Sequence, residues 1–139
     1  MDFALRKWEL SDAESICNYA NMQADEHKQF CRAVVIQGEA VGSIGAFFQE
    51  DIYRKNAEIA YWLGEPFWWK GVMSCAIRQV CASLFEQYDI ARVYAQPYAV
   101  NAASRRALEK AGFRLEGIMK KSVYKNSTLM DSCMYALLK

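Results

Sequence analysis

Residues 57–80, AEIAYWLGEPFWWKGVMSCAIRQV, change their hydrophobic period in mid-run. Up to residue 63 the pattern is that of a strand. From about residue 70 apolar side chains recur at helical spacing, with Met73, Ala76, Ile77, Val80 and, just beyond, Leu84 on one face. Gly64 and Gly71 mark a turn-rich connection between the two. A strand that passes through so short a loop into an amphipathic helix must have that helix lie back on its own sheet, which restricts the fold to layered α and β elements. The same junction makes a place for an anion, usually phosphate. The free N–H groups of a first helical turn point at whatever precedes them, and the helix dipole favours negative charge there.

The flanking sequence supplies the rest of the sheet. Residues 3–8 read as a strand, and Ser11 with Glu14 forms a capping box that opens a helix to about Met22, with Ile16, Tyr19 and Ala20 on its apolar stripe. Residues 23–29 are polar and read as a loop. Residues 32–37 and 41–48 are β-rich runs separated by Gly38-Glu39, hence an antiparallel pair. After a polar connection at 49–56 come the strand 57–63, the helix 70–87 and a strand 92–96 closed by Pro97. Asn101 caps a second helix over 102–111 that ends at Gly112, and strands 113–121 and 129–138 are joined by the turn-prone Lys125-Asn126-Ser127. The order predicts one α/β domain over residues 1–139, a mixed sheet flanked by helices.

Charge narrows the function. With 17 basic and 16 acidic residues the net charge is +1, so the chain lacks the basic field that nucleic-acid binding requires, and a small molecule or peptide is the expected partner. Asp2, Arg6, Lys7 and Glu9 interrupt any apolar leader at the start, and no run is long enough to span a membrane, so a cytoplasmic protein is expected. The five cysteines, Cys17, Cys31, Cys75, Cys81 and Cys133, form no C-x-x-C pair, and His27 is the single histidine. Reduced, packing cysteines and no metal site are the reading this favours. His27 lies among the charges of residues 24–28, which argues against a histidine-dependent triad.

The run at 57–80, then PYAVNAASRRALEKAGFRLEG and KKSVYKNSTLMDSCMYALLK, together resemble the GNAT superfamily of acetyl-CoA-dependent N-acetyltransferases, in the branch similar to the ribosomal-protein N-terminal acetyltransferases (RimJ/RimL-like). The resemblance implies a twisted mixed sheet with helices on both faces, whose two central strands splay apart to leave a slot for the pantetheine arm of acetyl-CoA. It implies transfer of an acetyl group to a primary amine, on a peptide or a small molecule, with a second copy of the chain as a further partner. The other reading is a GNAT-fold binding or dimerising module without catalysis.

On this resemblance the pyrophosphate loop falls on residues 66–73, with the backbone of Trp69, Lys70, Gly71, Val72 and Met73 cradling phosphate. The backbone of the strand Glu58 to Leu63, with Tyr61, Trp62 and Leu63 as its cofactor-binding residues, would bind the pantetheine amides. Family members usually have glycine where Trp69 stands, because glycine tolerates positive φ and close approach to an anion. Tryptophan there either turns outward onto cofactor or protein surface or fills the phosphate site.

Acetyl transfer needs an unprotonated amine, a polarised thioester carbonyl and a proton for the departing thiolate. Glu58 is the candidate general base, directly or through water; an exposed strand carboxylate is the alternative. Asn101 and Ser104 resemble an N-x-x-S element, Asn101 bonding the pantetheine arm and Ser104 assisting the thiolate; an N-cap and a first-turn hydroxyl are the alternative. The family's frequent tyrosine further along that helix is here Leu108. Arg105, Arg106 and Lys110 either meet cofactor phosphates or form a solvated basic face. Tyr61, Trp62, Phe67, Trp68 and Tyr98 line the acyl or acceptor pocket or pack the core. Asp131 orients an acceptor amine or serves a turn or strand edge. Only residues 23–31 stand where the family usually has a longer segment with a further helix over the acceptor site. That side is therefore expected to be open, supplied by another subunit, or lost.

Overall fold

The computed structural model describes residues 2–9 and 29–139. The expected helix at 11–22, His27, Cys17 and most of the short segment 23–31 lie outside the described residues. Within them the chain forms β1 (Ala4–Arg6), β2 (Gln29–Ile36), β3 (Glu39–Phe48), β4 (Asn56–Leu63), α1 (Val72–Gln87), β5 (Arg92–Ala95), α2 (Ala102–Lys110), β6 (Arg114–Lys125) and β7 (Thr128–Leu138). The strands make one sheet in the order β1-β2-β3-β4-β5-β7-β6. Every neighbouring pair is antiparallel except β4 and β5, which run parallel across the α1 crossover. Among the described residues no helix is long and apolar enough to cross a membrane.

Local chemistry sets these boundaries. The β2–β3 hairpin turns through Gln37-Gly38, not Gly38-Glu39, because a two-residue loop twisted like its strands needs positive φ at both central residues. Gln37 has φ 53° and Gly38 φ 80°, which leaves Glu39 free to pair with Ile36. Strand β2 starts at Gln29, three residues before the apolar run suggested, since residues 29–31 pair with Phe47, Ala46 and Gly45 and bury Phe30. Helix α2 ends as expected at Gly112, with φ 96°. The Gly112 and Phe113 N–H groups return to the carbonyls of Glu109 and Leu108, a Schellman closure that packs Phe113 beside the buried Leu108.

Strand β6 runs on to Lys125, past the expected end at residue 121, and turns through Asn126-Ser127 with φ 53° and 60°. The polar Lys120-Lys121-Ser122 run is a bulge in the strand. Lys121 has φ 55°, its N–H donates to Asp131 Oδ1 at 2.8 Å, and Ser122 Oγ meets Ser132 Oγ at 2.6 Å. Asp131 thus closes the bulge at this strand edge.

Among the described residues the main core cluster lies on the α1 face of the sheet. Met73, Ala76, Ile77, Val80 and Leu84 of α1 are all buried, in one cluster with Ile44, Ala46, Ala57, Ile59, Val93 and Tyr135 of the strands. Each large aliphatic side chain so placed contributes about 1.5–3 kcal/mol. Helix α2 packs beside α1 and contributes Leu108, which is fully buried. Cys81 and Cys133 are buried free thiols, and burial pushes the Cys81 thiol up to about 12.

Candidate active site

The parallel pairing of β4 with β5 lasts three residues, Asn56 with Arg92, Ala57 with Val93 and Glu58 with Tyr94. Strand β5 ends at Ala95, and the chain then leaves β4 to reach Tyr98, which bridges to Ser132 of β7. Strand β4 continues to Leu63, so among the described residues its edge from Ile59 onward has no strand partner on that side. This is the expected splay of the central strands. Gly64 N–H bonds Val41 O toward β3, so by strand alternation the Leu63 carbonyl faces the opening.

A cavity of about 280 Å³ fills the opening. Tyr61, Trp62 and Leu63 of β4 form one side. The loop and first turn of α1 form a second, through Phe67, Trp68, Trp69, Gly71, Val72, Met73 and Ser74. Asn101, Ser104, Arg106 and Lys110 of α2 and its cap line the third. Its charged wall residues are both basic.

Nine of the twelve candidate residues thus come together: Tyr61, Trp62, Leu63, Trp69, Gly71, Val72, Met73, Asn101 and Ser104. Three do not line the cavity. Lys70 is exposed beside it. Arg105 turns away, donating to Tyr135 Oη at 3.1 Å and to Ala99 O at 3.0 Å. It ties α2 to β7 and to the loop after β5, and its neighbour Arg106 takes the cavity wall instead. Glu58 sits at the last paired position of β4, where Gln96 Nε2 donates to its Oε2 at 3.0 Å; partial burial raises its pKa, and the Gln96 bond offsets part of that.

The start of α1 is built for close approach. Gly71 has φ 77°, and Trp69 itself adopts φ 64°, the left-handed conformation for which glycine is the cheaper residue. Trp69 is 72% exposed while standing in the cavity wall. Trp68 was expected as pocket lining, but its hydrogen bond was not legible: Nε1 donates to Leu63 O at 2.6 Å, on the free edge of β4.

Asn101 Oδ1 accepts from Ser104 N–H at 3.1 Å, the expected cap. Ser104 Oγ lies 2.6 Å from Tyr61 Oη. Burial pushes the Tyr61 phenol up to about 12, against a smaller lowering by the Ser104 bond. This pairing needed the register of β4 against α2, residues 43 apart, and no local motif announces it. Among the described residues no three His, Cys, Asp or Glu side chains group to hold a metal ion.

Residues 1–114 match the family profile of the acetyltransferase (GNAT) domain. The chain is 33% identical over 101 residues to the uncharacterized N-acetyltransferase YoaA of Bacillus subtilis (strain 168), covering 73% of this chain and 56% of that protein. It is 28% identical over 100 residues to the ribosomal-protein-serine acetyltransferase of Escherichia coli (strain K12), covering 72% of this chain and 55% of that protein. The chain thus spans little more than half the length of these relatives. Among solved structures, apo RimL, a ribosomal L7/L12 alpha-N-protein acetyltransferase, superposes with a TM-score of 0.82 at 26% identity, over 98% of this chain and 92% of that one. RimL in complex with coenzyme A gives 0.74 at 26% identity, over 92% and 70%.

Proposed function

Because this chain belongs to the GNAT acetyltransferase family, we propose that it is an acetyl-CoA-dependent N-acetyltransferase acting on a primary amine. One observation carries the reading: the cavity joins the unpaired edge of β4, the first turn of α1 and Ser104 in a single space. The residues present fit the cofactor. Among the described residues the wall carries Arg106 and Lys110 and no carboxylate, and the first turn of α1, whose free N–H groups favour an anion, lines the cavity.

Bound there, acetyl-CoA supplies an activated acetyl group as its thioester. The β4 edge at Tyr61 and Leu63 offers backbone groups to the pantetheine amides, and the start of α1 offers N–H groups to the pyrophosphate. Glu58 and Tyr61 stand an odd number of residues apart on one strand and so project to opposite faces of the sheet. The base and Ser104 therefore approach the apex of the splay from opposite sides. An amine entering from the Glu58 side would lose its proton to that carboxylate, directly or through water, and attack a carbonyl held from the other side. Burial brings Glu58 closer to neutrality and makes it a stronger base, and Gln96 fixes which oxygen is free. The placement of Glu58 and Ser104 supports direct transfer in a ternary complex.

The relatives named for ribosomal proteins favour a peptide α-amine over a small amine as acceptor. The four described cysteines are unbridged, in keeping with a reducing cytoplasmic setting. The test is thiol release from acetyl-CoA in the presence of peptides bearing a free α-amine, the same peptides blocked at that amine, and a polyamine. Release with the free peptides alone supports the reading; no release with any amine overturns it.

The second reading is a non-catalytic binding module, and the Trp68 bond is the observation that favours it. That indole holds the Leu63 carbonyl, which the cofactor would use. Failure of acetyl-CoA to bind the purified chain would select it.

A further inference from the structure

The Ser104 hydroxyl has one hydrogen-bond partner among the described residues, the Tyr61 hydroxyl at 2.6 Å. Two hydroxyls at that distance share one bond, so one donates and the other keeps its proton for a third group. Donation by tyrosine is the favoured direction, because a phenol is a much stronger acid than an aliphatic alcohol. Tyr61 has a second acceptor only in the Ser104 carbonyl at 3.4 Å, longer than a good O–H···O bond. Ser104 N–H is held by Asn101 Oδ1, so the serine side chain is fixed at its base as well.

We propose that Tyr61 is a positioning residue: by donating to Ser104 Oγ it aims the serine's own O–H into the cavity, at the sulfur of a bound thiol or thioester. The inference rests on the cavity being the cofactor site. As negative charge gathers on sulfur, Ser104 offers a hydrogen bond already oriented, and neither hydroxyl changes its covalent state. Burial, by raising the phenol's pKa, keeps Tyr61 a donor through the neutral range. Tyr135 of β7 lies behind the pair, with Arg105 and Glu109 bound to its hydroxyl. Arg106, Lys110 and the α1 first turn face the same cavity. These groups also favour a thiolate, but equally in the wild type and in a Tyr61 variant.

The discriminating quantity is the pKa of the thiol of bound CoA. It is read from the ultraviolet thiolate absorbance at saturating CoA across pH, with desulfo-CoA as the blank. The wild type is expected to lower it by about one unit from free CoA, as hydrogen bonding to the charged form does. Tyr61→Phe keeps the ring's packing and is expected to lose most of that shift. Ser104→Ala should lose it to the same extent, and the double variant should lose no more, because the two hydroxyls act as one device. A Tyr61→Phe protein that weakens CoA binding yet keeps the wild-type thiol pKa would assign Tyr61 a purely structural role and overturn the proposal. A full shift surviving in Ser104→Ala would overturn it too. If wild-type protein shows no saturable CoA binding, the cofactor-site reading itself fails and takes this proposal with it.

Discussion

The Trp68 indole donates from Nε1 to the carbonyl of Leu63 at 2.6 Å, five residues back along the chain. The bond ties the loop before α1 to the one edge of β4 that has no strand partner among the described residues. A ligand that pairs with the Leu63 carbonyl competes with the indole for it. Trp68→Phe keeps the ring and removes the donor, so acetyl-CoA should bind two- to tenfold more tightly, the worth of one net hydrogen bond of about 0.5–1.5 kcal/mol. Calorimetric titration of both proteins measures it. Weaker binding by the variant would mean that the indole supports the site.

Trp69 holds φ 64° with its side chain 72% exposed. A left-handed backbone costs a side-chain-bearing residue roughly 1–2 kcal/mol, and glycine gives back about 0.5–1 kcal/mol in chain entropy. Trp69→Gly should therefore stabilise the fold slightly, raising Tm by about 2–4 °C. A drop of several degrees in thermal melting would show that the ring packs on something that matters.

Sequence patterns made most of this architecture legible. Periodicity placed α1 and its buried face, Asn101 and Gly112 bracketed α2, and glycine and asparagine marked both hairpins. Two of the misplaced ends, at β2 and β6, have one physical cause: pairing with a neighbour, not the residues' own character, decides them. Phe30 joins β2 because Ala46 stands across from it, and the polar Lys120-Lys121-Ser122 run stays in β6 because Asp131 closes a bulge around it. The candidate site divides in the same way. Most residues in contiguous motifs came together, with Lys70 left exposed beside the cavity, whereas Arg105, Trp68 and the Tyr61–Ser104 pair depended on contacts across elements that no local pattern encodes.

Glu58 has a carboxyl shifted upward by burial. If it is the base, Glu58→Gln should cut the turnover rate with a reactive amine about 10²-fold. The variant should also lose the limb of the pH profile that rises through the Glu58 pKa. Stability moves the other way. Between the unfolded and the raised folded pKa the native state holds more protons than the unfolded state, so wild-type stability falls as pH rises through that window. Glu58→Gln removes the fall, and its Tm relative to wild type should be higher at neutral pH than at acid pH. Unchanged turnover in the variant would return Glu58 to a strand carboxylate.

Tyr135 is fully buried, and its hydroxyl donates to Glu109 Oε2 at 2.9 Å while accepting from Arg105 Nε. Tyr135→Phe strips a partner from each and should lower Tm by about 3–5 °C, the loss of about 1 kcal/mol. Because the same Arg105 also holds Ala99 O, amide exchange in residues 99–101 should quicken with it. An unchanged Tm would mean that the two side chains find water as good a partner.

The most direct test of the splayed-strand cavity as a cofactor site is calorimetric titration of the purified chain with acetyl-CoA. Saturable binding of one acetyl-CoA per chain, with Kd between about 1 μM and 1 mM and competed by CoA, is the expected result. No saturable heat up to about 1 mM, in wild type and in Trp68→Phe alike, would contradict it.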